Sequence, residues 1–285
     1  MLQIVTDGAV DMPPEWEQKY GIHILPLNIN FGERTYTQGQ GFTRNDFYRL
    51  VQEKRMIPKT SLPSIGQVQE FLRSIANPGD TILSIHISSK LSGTFSTVET
   101  AARELSGEFK VFVFDSLAGS AAQAFMAREA RLLERAGAAM PEILARLEKI
   151  RARINITFTL DTLEYAYMSG RINALQSLVA SALKVKPIIE LREGLLEITD
   201  KVRTRHRALE HVVQKLRERV GSQRINAAVI HAADPEMGQS LFQEVCSRLN
   251  IAEAVLTELS IPIAANLGPR AIGVVAYPVE ATEEA

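Results

Sequence analysis

Thr81-Ile82-Leu83-Ser84-Ile85-His86-Ile87-Ser88-Ser89-Lys90-Leu91-Ser92-Gly93-Thr94 decides the fold class of this chain. Thr81–Ile87 is an apolar run of strand type, and the hydroxyl-rich turn after it opens a helical pattern over Thr94–Leu105. Phe109–Phe114 follows as a further strand and Ala118–Arg135 as a long helix. Strand, helix and strand at this spacing are the unit of a parallel sheet with helices on both faces.

The same alternation extends to the amino terminus. Leu2–Val5 reads as a strand, and Asp11 with Pro13-Pro14 starts a helix through Tyr20. His23–Asn30 reads as a second strand; Pro26 lacks a ladder donor, so an edge or irregular strand is expected. Phe31–Arg34 is a turn, and Thr43–Lys54 and Ser64–Ala76 have helical spacing. The first half is therefore a Rossmann-like α/β domain.

A second domain begins near Pro141, with Pro141–Arg153 as a bridging helix. Asn155–Leu160 reads as a strand, and Leu163–Met168 and Ile172–Leu183 as helices on either side of Ser169-Gly170-Arg171. Pro187–Leu191 and Leu195–Thr199 flank Arg192-Glu193-Gly194, a hairpin signal that demands an antiparallel pair. Helices over Arg203–Val220 and Pro235–Leu249 then alternate with strands over Asn226–Ala232, Glu253–Leu259 and Ile272–Tyr277, ahead of an acidic tail. The second domain is expected to be α/β with a mixed sheet.

Composition narrows the function. A length of 285 residues fits two domains, and 46% hydrophobic with 23% charged residues is ordinary globular usage. A net charge of -1 gives no overall field to draw nucleic acid. The single cysteine, Cys246, excludes an internal disulfide framework and a multi-cysteine metal site, and the five histidines lack metal-binding spacing. Neither a signal peptide nor a membrane-spanning run is visible, so a soluble, cytoplasmic protein is expected.

Several segments have the residue types of a ligand site. At Ser88–Thr94 a helix start offers unpaired N–H groups and its dipole to an anion, with Ser92 and Thr94 adding hydroxyls and Gly93 allowing close approach. The other reading is plain helix capping. Lys59-Thr60-Ser61-Leu62-Pro63-Ser64 is a second hydroxyl-rich turn, with Ser64 as the cap and Thr60 and Ser61 to spare. Ala264–Arg270 reads as a tight loop in which Asn266 can donate to an oxyanion or simply satisfy the loop. Asp7 and Asp115 end strands; loop organisation is favoured over phosphoryl chemistry, because no Walker or kinase signature accompanies them. The basic run Lys201–Arg207 opposes the dipole of the helix it leads, which points either to an anionic partner or to a solvated face.

Together these segments resemble the DegV family, the fatty-acid-binding subunits of bacterial fatty acid kinase systems. The resemblance covers essentially the whole chain. It is carried by Ile4-Val5-Thr6-Asp7 with Asp11, Gly21-Ile22 leading to Pro26-Leu27, Lys59-Thr60-Ser61 with Pro63-Ser64, and Ser88-Ser89 with Leu91-Ser92-Gly93-Thr94. It continues through Asp115-Ser116, Ser169-Gly170-Arg171, Lys201-Val202-Arg203 and Gly268-Pro269.

The resemblance implies two α/β domains, residues 1–150 and 151–285, with a long-chain fatty acid between them. Its tail would be buried and its carboxylate held by Thr60 and Ser92, with Ser61, Gly93 and Asn266 completing the set. Arg171 and Arg203 would dock a separate ATP-dependent kinase or handle phosphate. The chain would be a carrier without catalytic residues, metal or cofactor; the sequence itself has no heptad or exposed apolar helix, so a monomer is expected. Asn266 stands where the family usually has histidine, Gly8 for serine, Leu62 for glutamine and Arg270 for glycine. An amide still donates a hydrogen bond but cannot become cationic. Each buried methylene stabilises by ~0.8 kcal/mol, so a tail of about sixteen carbons has on the order of 10 kcal/mol before binding costs. The head group then needs no strong clamp. The competing readings are a phosphoryl- or acyl-transferring enzyme built on Asp7, Asp115 and the Ser92 loop, and a carrier of another anionic amphiphile.

Overall fold

The computed structural model describes residues 1–172 and 185–279. The chain divides into two units. One is Met1–Arg151 with Ser260–Ala265; the other takes in the described residues of Ala152–Leu259 and Asn266–Ala285.

The first unit runs β1 (Leu2–Asp7), α1 (Pro14–Tyr20), β2 (Ile22–Leu25), β3 (Asn28–Phe31), β4 (Arg34–Thr37), α2 (Arg44–Lys54), β5 (Lys59–Ser61), α3 (Ile65–Ile75), β6 (Thr81–His86), α4 (Thr94–Glu104), β7 (Lys110–Asp115), α5 (Ala121–Arg135) and into α6 (Met140–Arg153). Four of its strands form a parallel sheet in the order β2-β1-β6-β7, with Ile4 beside Ile22 and Leu83, and His86 beside Asp115. Strand alternation sends neighbouring side chains to opposite faces. Val5 packs with Val68 and Leu72 of α3 and Val98 and Ala101 of α4. Thr6, the next residue, takes a hydrogen bond from Gln123 of α5 on the other face. The expected parallel sheet with helices on both faces is present.

Local chemistry sets the element ends. Thr43 with Asp46, and Ser64 with Gln67, form capping boxes at α2 and α3, and Gly21 closes α1 in the left-handed region. α5 starts at Ala121, not Ala118, because Leu117 and Ser120 have φ of 47° and 60°, which an α-helix cannot contain.

His23–Asn30 is not one strand. Pro26 breaks it: β2 is an edge of the parallel sheet, as Pro26 foretold, while β3 joins a separate antiparallel sheet in the order β4-β3-β5. The Phe31–Arg34 turn is the reversal between β3 and β4, with Gly32 at φ 62°. Lys59–Ser61, expected as a turn, is the edge strand β5, pairing Thr60 with Ile29 and Ser61 with Asn28. Three residues are too few to show alternation, so the sequence pattern hid it.

The second unit contains β8 (Asn155–Thr159), α7 (Glu164–Ser169), β9 (Lys186–Arg192), β10 (Leu195–Val202), α8 (Arg205–Val220), β11 (Ile225–His231), α9 (Pro235–Arg248), β12 (Ile251–Glu258), part of α10 (Ile261–Leu267) and β13 (Ile272–Pro278). Its sheet has the order β10-β9-β8-β13-β11-β12, mixed as expected: β11 and β12 are parallel and the other pairs antiparallel. Glu193 (φ 48°) and Gly194 (φ 83°) make the two-residue hairpin turn between β9 and β10. The stripe Ala208, Leu209, Val212, Val213, Leu216 and Val220 of α8 packs on Ile188, Val229, Ile272 and Val274.

Two expectations change here. β10 continues to Val202 and Thr204 caps α8, so Arg203 lies before the helix rather than in it. Ala264–Asn266 are helical, not a loop; Pro262 sits in the first turn, where no intrahelical N–H is needed, and Gly268 (φ 83°) follows the end. The helix expected over Ile172–Leu183 lies outside the described residues apart from Ile172, which bridges Leu196. The acidic tail lies outside them too. Among the described residues no helix is long and apolar enough to cross a membrane.

Gly273 of β13 lies opposite Phe158 of β8, and a Cβ there would come within 2.3 Å of Phe158 Cβ and 2.6 Å of the Thr157 carbonyl oxygen. Gly273→Ala is expected to destabilise the protein by about 3 kcal/mol or more through backbone overpacking, read as a lower urea midpoint.

Candidate functional site

In the parallel sheet the chain steps from β1 outward to β2 and then back across to β6 on the other side. The loops leaving β1 and β6 therefore diverge, and open α/β sheets bind ligands in that crevice, at the carboxyl ends of the strands. Gly8–Val10 leaves β1 and Ile87–Gly93 leaves β6.

One buried carboxylate joins the two loops. Asp7 ends β1 with no solvent exposure. Its Oδ1 accepts the Ala9 N–H at 3.0 Å. Its Oδ2 accepts the Ile87 N–H at 2.9 Å and lies 3.0 Å from His86 Nδ1. Burial alone would raise its pKa, but the His86 hydrogen bond and charge, with the Ile87 and Ala9 amides, outweigh burial and hold it below the usual carboxylate range. An ionised carboxylate only accepts, so His86 Nδ1 carries a proton. Ser84 Oγ lies 2.6 Å from His86 Nε2, and both residues are fully buried. This Asp-His-Ser array is fully buried and pins the two loops together. Asp115 organises the neighbouring loops in the same way, accepting the Ser89 and Leu117 amides at 3.2 and 2.9 Å. Both aspartates take the organising role expected of them.

The Ser88–Thr94 loop is built on Ser88, which is itself buried. Its N–H donates to the Ala118 carbonyl at 2.7 Å, and its own carbonyl accepts the Leu91 and Ser92 amides. Ser92 Oγ is half-buried, 2.9 Å from Thr94 Oγ1, and accepts the Thr94 N–H at 3.3 Å. Gly93 caps α4 without a side chain, and the first helical bond runs from Thr97 to Gly93. The Phe95 and Ser96 amides of the first turn therefore have no acceptor among the described residues. A hydroxyl, a glycine and two open amides at the positive end of a helix suit a single negative charge.

The segment after β5 reaches the same place. Leu62 Cδ2 lies 3.5 Å from where a Gly93 Cβ would stand. Thr60 and Ser61 do not act as a pair, because consecutive strand residues point to opposite faces. Ser61 is exposed, and its Oγ accepts from Asn30 Nδ2 at 3.2 Å; Thr60 is half-buried.

In the second unit, antiparallel pairing brings the ends of β8, β10 and β11 and the starts of β9 and β13 to one edge of the sheet. The links carrying Arg171, Arg203 and Asn266 all leave this edge. Arg171 is exposed beyond α7, beside the exposed Tyr167 and Met168. Arg203 is exposed, and Asn266 is half-buried in the last turn of α10. An ion network sits among them. Arg205 Nη2 is 2.5 Å from Asp234 Oδ2, Lys186 Nζ is 2.7 Å from Asp161 Oδ1, and Arg270 reaches Asp234 at 3.4 Å and Asp161 at 3.8 Å. Arg270 is thus engaged in ion pairs, not turned wholly to solvent. Burial would raise the Asp161 carboxyl, but Lys186, Arg270 and Arg205 together hold it low. Gly268 packs on the Tyr165 ring, whose Cδ2 lies 2.7 Å from a Gly268 Cβ position, so the end of α10 rests on α7.

Sequence reasoning missed Ser84 and His86, although two polar residues at alternate positions of an apolar strand were a visible signal. It also missed the ion network, whose members are scattered over 110 residues of sequence. Among the described residues no group of three or more His, Cys, Asp or Glu is placed to hold a metal ion.

Comparison with known proteins shows what the chain resembles. The model of the DegV family matches residues 1–279. A DegV domain-containing protein of Halalkalibacterium halodurans is 31% identical over 278 residues, covering 97% of this chain and 98% of its own length. Protein DegV of Bacillus subtilis is 31% identical over 275 residues, covering 96% and 98%. Among solved structures, a fatty-acid-binding DegV family protein from Thermus thermophilus superposes with TM-score 0.88 at 31% identity over 98% of this chain and 99% of that one. A stearic-acid-binding protein from Eubacterium ventriosum gives 0.89 at 26% identity over 98% of both.

Asp11, in the loop after β1, supplies the prediction from this region. It is fully buried; its carboxylate accepts the Ser260 N–H at 2.5 Å and the Ser120 hydroxyl. Burial pushes its pKa up to about 6, against the lowering effect of those hydrogen bonds. The folded state then holds a proton that the unfolded state has released, so this group's contribution to stability falls as pH rises from 4 to about 6. Asp11→Asn keeps an acceptor for Ser260 and a donor for Ser120 without the charge. Wild type is expected to lose about 3 kcal/mol relative to Asp11→Asn across that window, measured by urea unfolding at each pH.

Proposed function

The chain belongs to the DegV family, and from that premise we propose that it binds a long-chain fatty acid and presents the carboxylate to a separate ATP-dependent kinase. In that reaction a carboxylate oxygen forms a bond to the γ-phosphorus of ATP, the bond to ADP breaks, and acyl phosphate remains. The protein is the carrier of the lipid and has no turnover of its own.

The observation that carries this reading is the chemistry of the switch-point crevice. Its donors are uncharged: the Ser92 hydroxyl, two helix-start amides and Thr60, two residues before the Leu62 that packs at Gly93. Such a set holds a carboxylate without neutralising it, which leaves its oxygens nucleophilic. Affinity is left to the buried tail, where each methylene contributes ~0.8 kcal/mol. The Thermus thermophilus relative, 31% identical, binds fatty acid, which supports the same ligand class here.

Residue roles follow. Ser92 and Thr60 donate hydroxyls to the carboxylate, and Gly93 lets it reach the backbone. Ser61 contributes through the strand that carries Thr60. Asn266 is a neutral donor of the set. Arg171 and Arg203, both exposed, dock the kinase or meet the transferred phosphoryl group. Asn266 is also the feature that favours a second reading, a different anionic amphiphile as cargo.

Native mass spectrometry of protein freshly purified from cells tests the ligand. A bound long-chain fatty acid is expected; an empty chain refutes the proposal, and the mass of another amphiphile installs the second reading. With the kinase present, Ser92→Ala is expected to slow acyl phosphate formation more than it speeds lipid release. Equal losses in both would contradict a head group held only lightly.

A further inference from the structure

We propose that Gln38 and Gly8 form a latch that positions Thr60 for the ligand's carboxylate, which makes Gln38 a positioning residue for head-group recognition. The inference rests on the fatty-acid reading above and deepens it.

Gly8 follows Asp7 at the end of β1, is buried, and has an ordinary negative φ. Its lack of a side chain serves space, not backbone conformation. The place where its Cβ would stand is filled: Gln38 Oε1 is 1.7 Å from it and Gln38 Cδ 2.8 Å. Any side chain at position 8 displaces the Gln38 amide. That amide is engaged on both sides. Gln38 Nε2 donates to the Gly8 carbonyl at 3.2 Å, and Oε1 faces the Leu27 N–H at 3.5 Å.

The latch lies where the regular ladder fails. Pro26 has no N–H, and around it the chain leaves the parallel sheet for the small one. Gly8 N–H donates to the Leu25 carbonyl at 2.9 Å, and Gln38 N–H to the Leu27 carbonyl at 3.1 Å. Gln38 therefore closes the end of the β3–β4 pair and fastens it to β1. The next residues of β3, Asn28 and Ile29, carry Ser61 and Thr60 in register. On its other side Gly8 adjoins Asp7, whose carboxylate holds Ile87 and the start of the Ser92 loop. One hydrogen-bonded path thus links the strand of Thr60 to the loop of Ser92, and the Gln38 side chain joins that path to the small sheet.

Four proteins test this: wild type, Gly8→Ser, Gln38→Ala and the double variant. The readouts are the release rates of hexadecanoic acid and of the alcohol of the same length, with thermal stability alongside. Gly8→Ser is expected to speed release of the acid about tenfold, the scale of misaligned head-group hydrogen bonds, while changing release of the alcohol much less. Gln38→Ala does the same without steric load, so it decides the matter if Gly8→Ser does not fold. The double variant is expected to be no worse than either single one, because both break one contact. Acid and alcohol accelerating alike, or single effects that multiply, overturns the latch. If wild type retains no acid, the fatty-acid reading fails by itself. Hydrogen exchange at residues 59–61 across the four proteins then tests the latch: non-additive exposure supports it, and unchanged exchange refutes it.

Discussion

The carboxylate of Asp7 is the interaction on which the first unit's site depends. A parallel sheet whose order reverses leaves two loops diverging at the switch point, and the strand ladder does not tie one loop to the other. Asp7 supplies what the ladder cannot, with one oxygen for the loop after β1 and the other for the loop after β6. Its charge survives complete burial because every lone-pair direction used meets a donor, including His86, which Ser84 holds in turn. The charge of the pin holds the loops, while the Ser92 hydroxyl and the first-turn amides of α4 are uncharged.

The second unit solves a similar problem by different means. Arg171, Arg203 and Asn266 come from three links at one sheet edge. Arg203 lies two residues before Arg205, and Asn266 four before Arg270; both arginines are tied into the network with Asp161 and Asp234. Arg171 follows α7, against which the end of α10 rests through Gly268.

The regular elements were legible because they are long enough to show a period. The β6–α4–β7 unit, the β9–β10 hairpin with Glu193-Gly194 and the amphipathic stripe of α8 all announce themselves in composition and spacing. Pro26 was read correctly as marking an edge, yet the small sheet beyond it was not seen, since β5 has only three residues. The same gap made Thr60 and Ser61 look like equivalent hydroxyls, when strand pleating separates them. Ala264–Asn266 looked like a loop because Gly268-Pro269 follows, although alanines with a proline in the first turn also start a helix. Ser92, Gly93 and Asp7 stand out in local motifs. Gln38, the pairing of Asp11 with Ser120 and Ser260 in place of a cap on α1, and the Asp161–Arg270 network do not, because each depends on partners brought close only by the fold.

Asp7→Asn removes the charge of the pin and turns one of its two accepting oxygens into a donor that faces another donor, so amide hydrogen exchange in this variant tests the central claim most directly. Faster exchange at residues 8–10 and 87–93, with the strands of the sheet unchanged and any bound fatty acid released sooner, is the predicted result. Unchanged protection of both loops, or a uniform loosening of the whole first unit, would contradict the account.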